Sequence, residues 1–306
     1  MNLREWALPV YTILMQLATG ALLALWTIRA LEISKYGRKE LDRVTKDPIL
    51  LIFLTIVTGI LGAHFHLSQP WLSLLALLNI RSSWLSREIL FSVLFFLSVG
   101  CLAVLQWFGR GSARLHTLLG WIAILFGCVN IFCMFLIYLL PTQPFWNSLQ
   151  TPISFYATML LLGTLALFAM LVMDLRFSEV RERVDRDVRA LIIQRWVVGF
   201  AVITVAAAIL VVILNLYQIL LLRNGDELAR ISLELLLGLY QPLFIIRLGL
   251  LLVGVGWLVL VGRLIVRKRK TATELIGHVY VTFLLVLVSE ILGRFLFYAI
   301  HVRLGF

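Results

Sequence analysis

The sequence predicts an all-α polytopic membrane protein, a single domain over residues 1–306 with eight transmembrane helices and both termini on the outer, periplasmic side. Hydrophobic residues make up 61% of the chain and charged ones 14%, with a mean hydropathy of +0.99. A soluble domain carries about 25% charged residues and has no core large enough to hide such an apolar excess. The excess is gathered into runs near the roughly 20 residues a helix needs to cross hydrocarbon. Direction follows from the basic residues: 19 of the 27 lie in alternate connections, which the positive-inside rule places in the cytoplasm.

The first span, Trp6–Ile28, is too long for a signal-peptide core and Arg4-Glu5 is no basic leader, so it is expected to remain as a helix. Pro48–Leu67 follows a connection holding Arg29, Lys35, Arg38, Lys39, Arg43 and Lys46. Ile89–Trp107 and Leu115–Leu140 are joined through Arg110 and Arg114. Ile153–Leu175 and Ile193–Leu222 flank Arg176, Arg181, Arg183, Arg186, Arg189 and Arg195; the run Glu179–Arg189 mixes both signs and reads as a solvated helical extension. Leu243–Val266 and Leu275–His301 flank Arg263, Arg267, Lys268, Arg269 and Lys270. The formal charge of +11 therefore reports topology, and nucleic acid is excluded as a partner.

No connection is long enough for a soluble domain. Two on the outer side, Ser68–Ser86 and Arg223–Gln241, alternate apolar stripes with polar residues, as interfacial helices or re-entrant turns do; such surfaces lie on lipid headgroups or receive a partner protein. No internal repeat is visible. The three cysteines, Cys101, Cys128 and Cys133, lack C-x-x-C spacing and read as small buried hydrophobes. Their number excludes a disulfide-stapled domain and an iron–sulfur cluster ligated by this chain's own cysteines. No nucleotide-binding or hydrolase signature is present.

Ionisable residues at membrane depth are costly, so they mark where function is to be sought. In the last span Glu290, Arg294, Phe297 and His301 stack on one helical face in its outer half. His64 and His66 end the second span on the same side, and Arg87 and Glu88 begin the third. Topology puts these groups at one depth without saying which are neighbours. Two readings fit. One is a site for a quinol, whose hydroxyls need an imidazole and a carboxylate to take protons and whose tail needs apolar walls. The other is a Glu290–Arg294 pair knitting helices together, with histidines at headgroup level. Asn130, Asn215, Gln106 and Gln218 are expected to bond between helices, while Arg247, beside Pro242, either snorkels outward or faces the same outer pocket. A haem b arrangement would use His66 and His301 in one leaflet and His116 and His278 in the other. A proton-coupled transporter would use Glu290 and Arg294 as its coupling pair.

At these residues the chain resembles the membrane anchor subunits of dimethyl sulfoxide reductases. His66-Leu67-Ser68-Gln69-Pro70 is similar to their H-L-G-x-P element, and Ser83-Trp84-Leu85-Ser86-Arg87-Glu88-Ile89 to their S-x-L-S-x-E-I stretch. Glu290-Ile291-Leu292-Gly293-Arg294, Phe297-Tyr298 and His301 resemble their E-L-I-G-R-x-x-F-Y-x-x-H ending. The resemblance implies an inner-membrane subunit that oxidises menaquinol during anaerobic respiration and binds no haem. Electrons would pass to a four-cluster ferredoxin-like iron–sulfur subunit and on to a molybdopterin catalytic subunit. It implies that His66 is the quinol-site histidine and Glu88 its nearby carboxylate. Arg87, Glu290, Arg294, His301 and His64 complete the expected quinone-binding set. The sequence departs from the family at Ser68-Gln69, where Gly is usual, and in having His64 two residues before His66.

Overall fold

The computed structural model describes residues 7–66, 70–177, 183–268 and 276–302, and every regular element among them is helical. Within these residues nine α-helices follow one another: α1 (Ala7–Tyr36), α2 (Arg38–His66), α3 (Trp84–Trp107), α4 (Ala113–Tyr138), α5 (Gln150–Phe177), α6 (Arg183–Arg223), α7 (Glu227–Leu237), α8 (Gln241–Lys268) and α9 (Ile276–Ala299). Eight of them, all but α7, are long and apolar enough to cross a membrane, matching the expected spans one for one.

Several run beyond their hydropathy limits. α1 continues past Ile28 to Tyr36, turns at Gly37 (φ 78°), and α2 starts again at Arg38 with Pro48 inside it. Charged residues end a hydropathic run without ending a helix, and here they bond the extension to its neighbours. Arg29 is almost wholly buried and donates to Asp42 at 2.7 Å and to Thr117 at 2.9 Å. His116 closes the group, with Nδ1 3.2 Å from Asp42 and Nε2 2.8 Å from the Arg110 carbonyl. Glu32, equally buried, receives Arg195 at 3.1 Å and the Trp196 indole at 2.9 Å. These bonds tie α1, α2, α4 and α6 together on what we call the basic face. The opposite end, which carries the start of α1 and the end of α9, is the terminal face.

The spans form two four-helix rings, α1–α2–α3–α4 and α5–α6–α8–α9, in each of which every helix packs on the next and the last returns to the first. The rings share a long α1/α5 contact, and these two helices are the most buried spans. Gly20 and Gly163 meet at that contact, thirteen residues after Ala7 and thirteen after Gln150. A methyl group on either would enter the backbone of the other helix. Small residues at such crossings let helices approach closely where lipid gives no hydrophobic incentive to associate.

Each ring also carries a short helix between its second and third spans. In the first this is a 3-10 helix, Pro70–Asn79, packed on α3; in the second it is α7, packed on α6 and α8. α7 is capped by Asp226, whose carboxylate accepts from the Ala229 amide at 2.9 Å. Of the two readings their amphipathic patterns allow, helix and re-entrant turn, the described residues of both connections on the terminal face adopt the helix. A repeat invisible in the residues is present in the order of helices and their neighbours, because lipid-facing positions accept any apolar residue. Ser68-Gln69 lies outside the described residues, as does the start of Glu179–Arg189; its remainder opens α6.

Candidate functional site

Buried polar side chains meet in the half of the bundle nearest the terminal face, in two groups, one per ring. The first is built on α3. Ser83 caps the helix by accepting from the Ser86 amide at 3.3 Å. Arg87 folds back over the preceding turn, donating to the carbonyls of Ile80 at 2.9 Å and Arg81 at 2.8 Å and lying over the Trp84 ring. Arg87 is thereby committed to the loop, and the next residue, Glu88, points into the ring and is only 7% exposed.

Around Glu88, the Tyr11 phenol of α1 faces the carboxyl and lies 2.6 Å from the Ser92 hydroxyl. Ser92 in turn sits 2.8 Å from the Glu88 carbonyl and 3.0 Å from Asn130 Oδ1. Among the described residues the buried Asn130 amide nitrogen has no partner in good hydrogen-bonding geometry, with the Tyr11 phenol nearby. Among the described residues no cation stands within ion-pair distance of the Glu88 carboxyl. A buried carboxylate without a counter-charge is expensive, and the usual remedy is a proton or a hydrogen-bonding ligand. His66 ends α2, which packs on α3, so it shares this end of the ring; its imidazole lies outside the described residues. His64 is exposed, with Nδ1 2.8 Å from the carbonyl of Ile60.

The second group is built on α9. Glu290 receives the Thr158 hydroxyl of α5 at 2.6 Å and pairs at 3.9 Å with Arg247 of α8. Arg247 also donates to Asn215 of α6 at 2.9 Å. The expected Glu290–Arg294 contact is replaced: Arg294, one turn on, donates to Gln16 of α1 at 3.0 Å and rests on the Phe155 face at 3.9 Å. Gly293 makes the exchange possible, since a methyl group there would strike the Arg247 guanidinium. A cavity of about 50 Å³ lies between α5, α6, α8 and α9, lined by Gln150, Thr158, Asn215, Arg247, Glu290 and Arg294 among others. Room on this scale suits a few water molecules.

The groups meet through aromatic residues. The phenols of Tyr138 (α4) and Tyr298 (α9) are 2.8 Å apart, and each lies within electrostatic range of both Glu88 and Arg294. Trp146 donates to the Phe297 carbonyl at 2.7 Å and stacks on His301 at 4.3 Å. His301 Nδ1 is 2.6 Å from the Tyr298 carbonyl; a carbonyl only accepts, so this nitrogen carries the proton. His116 sits on the basic face with both ring nitrogens bonded within the protein, and His278 is exposed beside Trp257.

Of the residues singled out from sequence, Glu290, Arg294 and His301 are thus assembled around α9, and Glu88 lies across the phenol pair from them. Thr158, Gln16, Tyr11 and Tyr138 join these groups without a marker in the sequence, since an uncharged polar residue in a span signals at most a bond between helices and not a place beside a buried charge. Arg247 did carry one, a lone charge inside an apolar run, but its partner is set by lateral packing.

The protein matches the family model for the DMSO reductase anchor subunit (DmsC) over residues 1–300. It is 26% identical over 304 residues to the C chain of the anaerobic dimethyl sulfoxide reductase of Haemophilus influenzae, with 99% of the present sequence and 97% of that protein covered. The YnfH chain of an anaerobic dimethyl sulfoxide reductase of Escherichia coli is 26% identical over 312 residues, with 98% and 96% covered. The anaerobic dimethyl sulfoxide reductase C chain of the same organism is 26% identical over 309 residues, again with 98% and 96% covered.

Proposed function

The protein belongs to the DMSO reductase anchor subunit family, and from that premise we propose that this multi-pass membrane protein oxidises menaquinol for a molybdopterin oxidoreductase of the dimethyl sulfoxide reductase type. The observation that supports this best is Glu88: a buried carboxylate with no described cation, at the end of the ring where α2 finishes in His66. A quinol headgroup supplies what that corner lacks. One hydroxyl donates to the Glu88 carboxylate or the His66 imidazole, and its oxygen accepts from the orphaned Asn130 amide. The apolar outer surfaces of α2 and α3 leave a path for the tail through lipid.

On this reading two electrons leave for a four-cluster ferredoxin-like iron–sulfur subunit and reach a molybdopterin catalytic subunit beyond it. The asymmetry of basic residues supports an inner, cytoplasmic membrane location with the terminal face in the periplasm. The iron–sulfur partner then docks on that face, and quinol protons are released there. The test is quinol turnover by the purified complex carrying His66→Ala or Glu88→Gln. Each substitution should reduce turnover by about 100-fold or more while a soluble reductant that feeds the iron–sulfur subunit directly still drives the catalytic subunit. Normal quinol turnover in both variants would remove the site, and isolation of the protein from native membranes without molybdenum or iron would remove the complex.

A further inference from the structure

The cavity in the second ring has no part in the quinol corner, and its walls are chemically incomplete. Glu290 is 3% exposed, yet among the described residues its Oε1 accepts no hydrogen bond, and the buried Arg247 Nε and Gln150 Oε1 beside the same cavity have no partner either. Buried polar atoms are nearly always satisfied, and where protein groups do not suffice ordered water does so. An acceptor, a donor and a second acceptor around about 50 Å³ of space are the environment a small water cluster needs. Thr158 holds the other oxygen of Glu290, which leaves Oε1 turned to the cavity and to Arg247.

We propose that this cavity is a hydrated proton-holding site: water joins Glu290 to Arg247 and Gln150, and the Glu290 carboxylate takes up a proton released by quinol oxidation and passes it to the terminal face. The proposal rests on the quinol reading above. Oxidation of the quinol yields quinone, two electrons and two protons. The electrons go to the iron–sulfur partner; one proton leaves to the terminal face through Glu88 and His66 at the quinol corner, and the other converts the Glu290 carboxylate to the acid before water carries it away and restores the carboxylate. The Tyr138–Tyr298 phenol pair stands between the quinol corner and this site, in electrostatic range of Glu88 on one side and Arg294 on the other. Gln150, at the start of α5, places the far end of the cluster nearest the terminal face.

The experiment uses the whole complex in lipid vesicles. For Glu290→Gln, kcat for quinol oxidation is expected to fall by about 100-fold, and its solvent deuterium isotope effect to rise as proton exit becomes limiting. KM and the binding of a quinol-analogue inhibitor stay at wild-type values, and Glu290→Asp restores part of kcat. Thr158→Val, a milder change should Glu290→Gln fail to assemble, is expected to lower kcat several-fold with the same isotope signature. Wild-type kcat and isotope effect in these variants would overturn the proposal, as would a parallel loss of inhibitor binding, which would move Glu290 to the quinol itself. Radical labelling of the cavity-lining Phe145 and Phe244 reads the water independently of turnover, and an unlabelled, dry cavity also overturns it. A wild-type complex that labels there but oxidises no quinol defeats the quinol reading instead.

Discussion

The two rings are alike in helix order and in the short helix each carries on its terminal face, yet they bury opposite charge patterns. In the first, Glu88 stands among hydroxyls and an amide, with no described cation in ion-pair range. In the second, Glu290 pairs with Arg247, and Arg294 lies one helical turn away against Gln16. Together the four charges cancel, with the carboxylate excess on one side of the α1/α5 contact and the guanidinium excess on the other. A common scaffold thus yields one group whose carboxylate has no cation among the described residues and another whose charge is met largely from within. Burial costs a lone ion far more than a paired one, so the unpaired member is the candidate for chemistry.

The scaffold itself is the first place to break the comparison. Gly163→Leu is expected to abolish accumulation of folded protein, since the larger residue has to enter the α1 backbone at Gly20 and separate the rings. A cost above roughly 4 kcal/mol places it in the exceptional class, read as loss of the complex from membranes. Arg247→Met comes next. It leaves Glu290 buried without its cation and Asn215 without its donor, a loss of about 3–5 kcal/mol in detergent unfolding. Adding Glu290→Gln should recover much of that loss, and a strictly additive double mutant would show that the pair is not coupled.

Glu88→Gln sharpens the contrast because it removes a charge that has no described cation. Its unfolding midpoint should not fall, while quinol oxidation drops by about 100-fold; a stability loss like that of Arg247→Met would mean that Glu88 is paired after all. The smallest effect is expected of Tyr298→Phe, which deletes the 2.8 Å phenol contact between the rings. About 1 kcal/mol of stability is at stake, the usual net value of a hydrogen bond.

Depth was legible in the residues, and neighbourhood was not. Glu88, Glu290, Arg294 and His301 were all found from their place along apolar runs, and they do lie in the same half of the bundle. Their partners were not foreseen. The i, i+4 spacing of Glu290 and Arg294 pointed to each other, but Gly293 admits Arg247 from the next helix and Gln16 draws Arg294 to α1. Arg87 stood beside Glu88 in sequence and turns the other way, to cap the loop before α3. Tyr11 became visible only as a neighbour of Glu88, and Asn130, expected to bond between helices, gained its place beside Glu88 only from the packing of α4 on α3.

The number of spans, the shared depth of the charges and the amphipathic character of the two connections on the terminal face were determined by the sequence alone. A bilayer imposes one length scale along its normal, and hydropathy reads that scale directly. The two-ring arrangement, the glycine contact at its centre and the choice of Arg247 over Arg294 as the partner of Glu290 were decided by tertiary packing. Lipid tails are as apolar as leucine, so within the membrane plane hydrophobicity does not choose neighbours; close fit and a few buried polar bonds do.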